Sequence, residues 1–157
     1  MTITEQEVAD AVREWVELNN PGDDVERVPE NVARLVAMEA ESAGFGYRTS
    51  AWRDVSTVGR NAYAQVMTQY WSQIVYFRTE LADLHTSVLG DVGFAWGGYT
   101  EEFQEKGRTP ERAKVRFSMA LTKEPEGWKV LSFHRDIQPF DADGRYLRSL
   151  AEIQPAG

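Results

Sequence analysis

Apolar residues recur at helical intervals in the first half of the chain and at strand intervals through the second. Val8, Ala11, Val12 and Trp15 form one stripe of helical period. Thr4 followed by Glu7 has the spacing of a capping box, so a first helix is predicted from there to the stop at Asn19-Asn20-Pro21-Gly22. Pro29 suits a first helical turn, and Val32, Leu35, Val36 and Glu39 share a second stripe running toward Gly44. Glu39 thus stands where an apolar residue is expected: either it reaches water from the edge of the stripe or its carboxylate faces an enclosed cavity. From about Gly59 a third helical stripe carries Tyr63, Val66, Met67, Tyr70 and Trp71. Its two tyrosines and tryptophan have polar handles, which suits a cavity wall as well as a core.

The strands follow. Phe45 to Asp54 suggests a short irregular strand pair, and Ile74 to Leu89 one long or bent strand ending at Gly90-Asp91. Between Val92 and Phe103 bulky Val92, Phe94 and Trp96 alternate with small Gly93, Ala95 and Gly97. Glu101 to Arg112, broken at Gly107 and Pro110, reads as a solvated hairpin loop with Glu101, Glu102 and Glu105 on its wet face. Val115, Phe117, Met119 and Leu121 then alternate with polar and small residues, and Pro125 and Gly127 reverse the chain. In the last strand Leu131, Phe133, Arg135 and Ile137 face one way and Val130, Ser132, His134 and Asp136 the other. A slip of one residue would exchange Arg135 for His134 and Asp136 on the inner face. Asp141-Ala142-Asp143-Gly144 resembles the start of a calcium loop but lacks the later oxygen ligands, and is expected to be a turn. This order predicts an α+β fold: a cone-shaped, curved antiparallel sheet wrapped around N-terminal helices, forming a single domain over residues 1–157.

Composition narrows the function classes. A formal charge of −8 with no basic run opposes nucleic-acid binding. The absence of cysteine removes disulfides, thiolate catalysis and cysteine-based zinc sites. No apolar run approaches the roughly 18 residues of a spanning helix, and the start of the chain lacks the pattern of a signal peptide. A cytoplasmic protein that does not enter a membrane is expected.

Gly59-Arg60 before the third helical stripe, Trp71 near its end, Gly90-Asp91-Val92-Gly93, and the run from Arg116-Phe117 through Gly127-Trp128-Lys129-Val130 to Phe133-His134-Arg135 resemble the nuclear transport factor 2-like superfamily. That superfamily includes SnoaL-like polyketide cyclases, ketosteroid isomerases and the association domain of calmodulin-dependent kinases. The resemblance covers nearly the whole chain and is closest to the SnoaL-like and association-domain branch. It implies that Arg135 points into the cone and that Trp71 stands at the pocket rim. Tyr63, Trp96 and Met119 match positions where the kinase domain has pocket histidine or arginine, so the pocket here becomes mainly aromatic and apolar. The catalytic tyrosine and paired aspartates of the isomerases have no counterparts, and no catalytic residue is assigned.

Glu39, Tyr63, Trp71, Trp96, Met119 and Arg135 are therefore the candidate ligand-binding residues. A buried guanidinium needs an anion, and Glu39 is the internal candidate for Arg135, with a ligand carboxylate or enolate as the alternative. His134 and Asp136 turn outward in this register, too few and too exposed for a metal site. The expected function is binding of a small, largely apolar organic molecule with one polar or anionic end, with no cofactor and no metal. The chemistry would be that of an isomerase, cyclase or hydrolase. The rival is a non-catalytic homo-oligomeric association module with a vestigial cavity. A cavity of roughly 300 Å³ or more would favour the first and a filled cone the second. A homodimer is expected through a flat face of Gly93, Ala95, Gly97, Ser118, Ala120 and Ser132.

Overall fold

A computed structural model describes residues 2–48 and 54–140. Thr49 and Trp52 of the expected irregular strand pair, and the turn expected at Asp141-Ala142-Asp143-Gly144, lie outside the described residues. Helix α1 spans Glu5–Leu18 and begins as its sequence signals: Thr4 Oγ1 accepts from Glu7 N at 3.2 Å while Glu7 Oε2 accepts from Thr4 N at 2.9 Å. Helix α2 spans Val28–Met38 with Pro29 in its first turn, and α3 spans Arg60–Trp71. Strands β1 (Glu39–Arg48) and β2 (Asp54–Val58) precede α3. Four long strands follow it: β3 (Ile74–Leu89), β4 (Val92–Glu105), β5 (Glu111–Glu124) and β6 (Gly127–Phe140).

The architecture is α+β, with the helices held against one face of a curved six-stranded sheet of order β2-β1-β6-β5-β4-β3. Every strand pair is antiparallel except β1 with β6, which run parallel. Three bulges interrupt the long ladders, near Val75 and Ala82 in β3 and at Leu131 in β6. Each inserts a residue and bends its strand, which is how a long sheet curls around helices. At the second bulge Gly97 lies so close to β3 that a Cβ would fall 2.1 Å from Asp83 O, so only glycine fits there.

The approach of α1 decides which face of β4 looks inward. Gly93 sits beneath Val8, where an added Cβ would meet Val8 Cγ2 at 2.4 Å, and Ala95 is buried beside it. The small residues of β4 therefore make room for the helix, and Phe94 and Trp96 point outward, 39% and 43% exposed. The flat outer face expected from Gly93, Ala95 and Gly97 is thus the inner one, because a helix at close range needs small residues beneath it. Ser118 and Ser132 do lie on the outer face, Ser118 across the ladder from Trp96 and Ser132 across from Ala120, which in turn pairs with Phe94.

The bulge at Leu131 also revises the last strand. Val130 is fully buried and Leu131 only half-buried; beyond the bulge Phe133 and Ile137 are buried and Arg135 lies on their side of the strand. Arg135 has the inward direction expected of it. The loop after α1 closes one edge of the sheet: Gly22 exchanges both backbone hydrogen bonds with Phe77, at 2.8 and 3.1 Å, and Asn20 Oδ1 accepts from Thr79 N at 3.0 Å. An edge strand covered in this way is shielded from pairing with another chain.

Candidate functional site

The hairpin between β4 and β5 is shorter than its charge suggests. Strand β4 continues to Glu105, and its alternation carries Tyr99, Glu101 and Phe103 to the inner face, all at most 4% exposed. Glu101, expected to be solvated, is a buried carboxylate. Its partner is Arg135, whose Nη1 donates to Glu101 Oε1 in a close ion pair and to Tyr99 Oη at 3.1 Å. Glu39 does not play this part. It opens β1 beside Val130, while β4 presents Glu101 within reach of a long side chain crossing from β6.

Arg135, Tyr99 and Glu101 form the polar end of a cavity walled mainly by Trp15, Val66, Met67, Trp71, Phe77 and Phe133. Ring contacts consolidate that wall: Trp15 to Phe133 at 4.7 Å between centroids, Trp71 to Phe77 at 5.0 Å, and Tyr99 to Phe117 at 5.6 Å. Burial pushes the Glu101 carboxyl above its ordinary range although Arg135 pulls it back. Burial alone would lower the Arg135 guanidinium, but Glu101 and the Tyr99 and Tyr70 phenols outweigh it and hold the group firmly cationic. The Tyr99 phenol is pushed up to about 12, chiefly by burial. The result is a charge pair of no net charge at one end of an apolar chamber, in surroundings where electrostatic interactions are stronger than in water.

Of the residues expected to bind a ligand, Tyr63, Trp71 and Arg135 line this cavity. Met119 is buried in the core and Glu39 is buried at the start of β1; neither reaches the cavity wall. Trp96 is a correction: it lies on the outer face, where its ring stacks on His85 at 5.8 Å, because β4 turns its small residues inward. Trp15, Thr79, Tyr99 and Glu101 are wall residues that the sequence reading missed. A signal for two of them was present, since period two carried back from Phe103 puts Glu101 and Tyr99 on the same side.

The cavity encloses about 50 Å³. That is room for a few water-sized groups and well below the roughly 300 Å³ expected of a ligand-filled cone. A wider, open cleft of about 480 Å³ is bordered by the outward residues Arg78, Glu80 and Glu102 with Thr100 and Arg112. Arg78 is taken by Asp23 there, at 2.8 and 2.9 Å, so this cleft has the character of a solvated surface. His134 and Asp136 lie on the outer face 3.5 Å apart, both mostly exposed. Among the described residues no group of three or more acidic or histidine side chains is arranged to hold a metal ion, and no helix is long and apolar enough to cross a membrane.

The family described as SnoaL-like domain matches residues 30–136. No curated protein matches the chain. Among solved structures, the chain is similar to one from Xanthomonas campestris provisionally described as a calcium/calmodulin-dependent protein kinase II association domain. Identity is 13%, the TM-score 0.66, and 86% of this chain and 88% of that one are covered. An NTF2-like protein of unknown function from Pseudomonas putida KT2440 matches at 17% identity and TM-score 0.62, covering 96% of each chain. The hexachlorocyclohexane dehydrochlorinase LinA-type3 from Novosphingobium barchaimii LL02 matches at 12% identity and TM-score 0.65, covering 92% and 98%. At such identities the likeness establishes the NTF2-like fold and nothing finer.

Proposed function

We propose, given that the chain belongs to the SnoaL-like domain family, that it forms one NTF2-like domain binding a small, largely apolar molecule with one polar end inside the cone. The observation that carries this reading is the buried Glu101–Arg135 pair at the edge of an otherwise aromatic and apolar chamber. Charges are held in such a place at a desolvation cost that a purely structural core has no need to bear. A cofactor-independent isomerase, cyclase or hydrolase of this shape would use Glu101 as its general base, since burial raises the carboxyl toward the pH at which it works. Native mass spectrometry of the gently purified protein tests the reading. A retained small molecule that Glu101→Gln releases is expected; a bare chain that no small apolar compound stabilises against heat would refute it.

A second reading, a homodimeric association module with a vestigial cavity, is favoured by the small free volume and by Phe94 and Trp96 standing exposed on the outer face. A second copy meeting that face would cover both rings. Sedimentation at tens of micromolar tests the association itself: a dimer that Trp96→Arg converts to monomer supports it, and a monomeric wild type excludes it.

A further inference from the structure

Glu39 is a buried acid that the chemistry of the chamber leaves unused. It is 1% exposed, and neither carboxyl oxygen has a hydrogen-bond partner. It also stands at a joint. Its backbone caps the C-terminal end of α2 and opens β1, and the β1–β6 ladder shifts register between Glu39 and Gly44. The same residue holds the start of α3: Arg60, the first residue of that helix, donates from Nε to Glu39 O at 2.9 Å. The N-cap there is Gly59, at φ +93° and with no side chain to bond the exposed N–H groups, and no acidic residue occupies the first turn. The other end of α3 is tied more firmly. Lys106 donates from its backbone N to Gln73 O at 2.7 Å and from Nζ to Ser72 O at 2.8 Å.

A charge on the Glu39 carboxyl would upset this joint. Among the described residues, the charged and titratable groups that act on it are Arg60 and Tyr63, both from α3. Lys129 of β6 is bonded to Ala37 O at 2.7 Å, and Glu30 and Arg34, the charged residues of α2, are exposed. Arg60 is bonded to the neutral carbonyl of Glu39 and not to its carboxyl, so ionisation leaves an unpaired charge in the interior, which burial strongly disfavours. Two rearrangements relieve it. A charge-assisted bond, about twice as strong as the bond to the carbonyl, draws Arg60 off that carbonyl; contact with water parts α3 from β1. Either one frees the start of α3.

We infer that Glu39 is a pH-sensitive latch on α3: protonated, it keeps the start of the helix closed through its backbone oxygen, and ionised, it releases that end to swing about the end tied by Lys106. Burial pushes the carboxyl up to about 8, which places the release between the ordinary value of 4.5 and that pH, with the latch closed on the acid side. Tyr63, Val66, Met67, Tyr70 and Trp71 of α3 stand on the wall of the chamber, so its volume follows the latch. The inference holds whatever the chamber binds.

Amide hydrogen exchange of the full chain, read residue by residue and corrected for the intrinsic rate, tests it. At about pH 7 the amides of Tyr63 to Trp71 should exchange through an opening about tenfold or more as frequent as the one that exposes the β4–β5 amides, and insensitive to low urea because it is local. That opening should become at least about tenfold more frequent from about pH 5 to about pH 7 in the wild type, and stay constant in Glu39→Gln. Arg60→Met keeps the carboxyl and should open α3 already at about pH 5, so the outcome does not hinge on whether the Glu39 variant folds. Exchange of α3 and of β4–β5 through one urea-sensitive opening would overturn the latch and leave Glu39 acting on global stability alone. A pH dependence that survives in Glu39→Gln, or wild-type protection of α3 in Arg60→Met, would overturn it as well.

Discussion

Glu39 carries a carboxyl that is 1% exposed, with neither oxygen hydrogen-bonded, and burial pushes its pKa from 4.5 up to about 8 against the pull of the Arg60 charge. Arg60 does not pair with that carboxylate; its Nε donates to the Glu39 backbone oxygen at 2.9 Å. The Tyr63 phenol is the other titratable neighbour, itself pushed up by burial and by Glu39. In the unfolded chain the carboxyl gives up its proton near pH 4.5, whereas in the fold it keeps it to about 8. Between those values this carboxyl holds its proton in the fold and not in the unfolded chain, so its contribution to stability is fully present below pH 4.5, falls as pH rises through the window, and is lost above pH 8. At about 1.4 kcal/mol per unit, the loss reaches roughly 3 kcal/mol at pH 7 and roughly 5 kcal/mol above pH 8. Glu39→Gln keeps the shape and cannot ionise. It should match the wild type near pH 4.5 and exceed it by about 3 kcal/mol at pH 7, read from urea unfolding midpoints at both values. A difference between the two proteins that is the same at both pH values, or a variant less stable at pH 8, would refute the account.

Arg135→Met strands Glu101 in the interior and should cost about 3 to 5 kcal/mol. Adding Glu101→Gln should recover part of that in the thermal midpoint, since the two residues form one unit, and no recovery would mean that the pair is not coupled. Gly97→Ala forces a Cβ to within 2.1 Å of Asp83 O, where the backbone of β3 must shift. A loss of about 1 to 3 kcal/mol is expected, with a stability change under a few tenths of a kcal/mol contradicting the close approach.

What the sequence settled by itself was local. The Thr4 and Glu7 pair announces the start of α1, the 3.6 period marks its buried face, and the period of two in Val115 to Leu121 and in Phe133 to Ile137 already turns Arg135 inward. These features depend on neighbours within one turn or one strand, which the chain carries with it. The residues on which the site depends lie beyond that range. Whether β4 shows α1 its small residues or its large ones depends on how near the helix comes. The same alternation, read without the helix, puts Trp96 inside and Gly93 outside, opposite to their places in the fold. The parallel pairing of β1 with β6 joins strands separated by most of the chain, and no local pattern announces it. Glu101 shows the division most clearly. Its charge and the glycine and proline that follow suggest a wet loop, yet the tertiary structure extends β4 past it and sets Arg135 opposite. A carboxylate among such neighbours in sequence becomes buried only when a distant strand supplies the cation that makes burial tolerable.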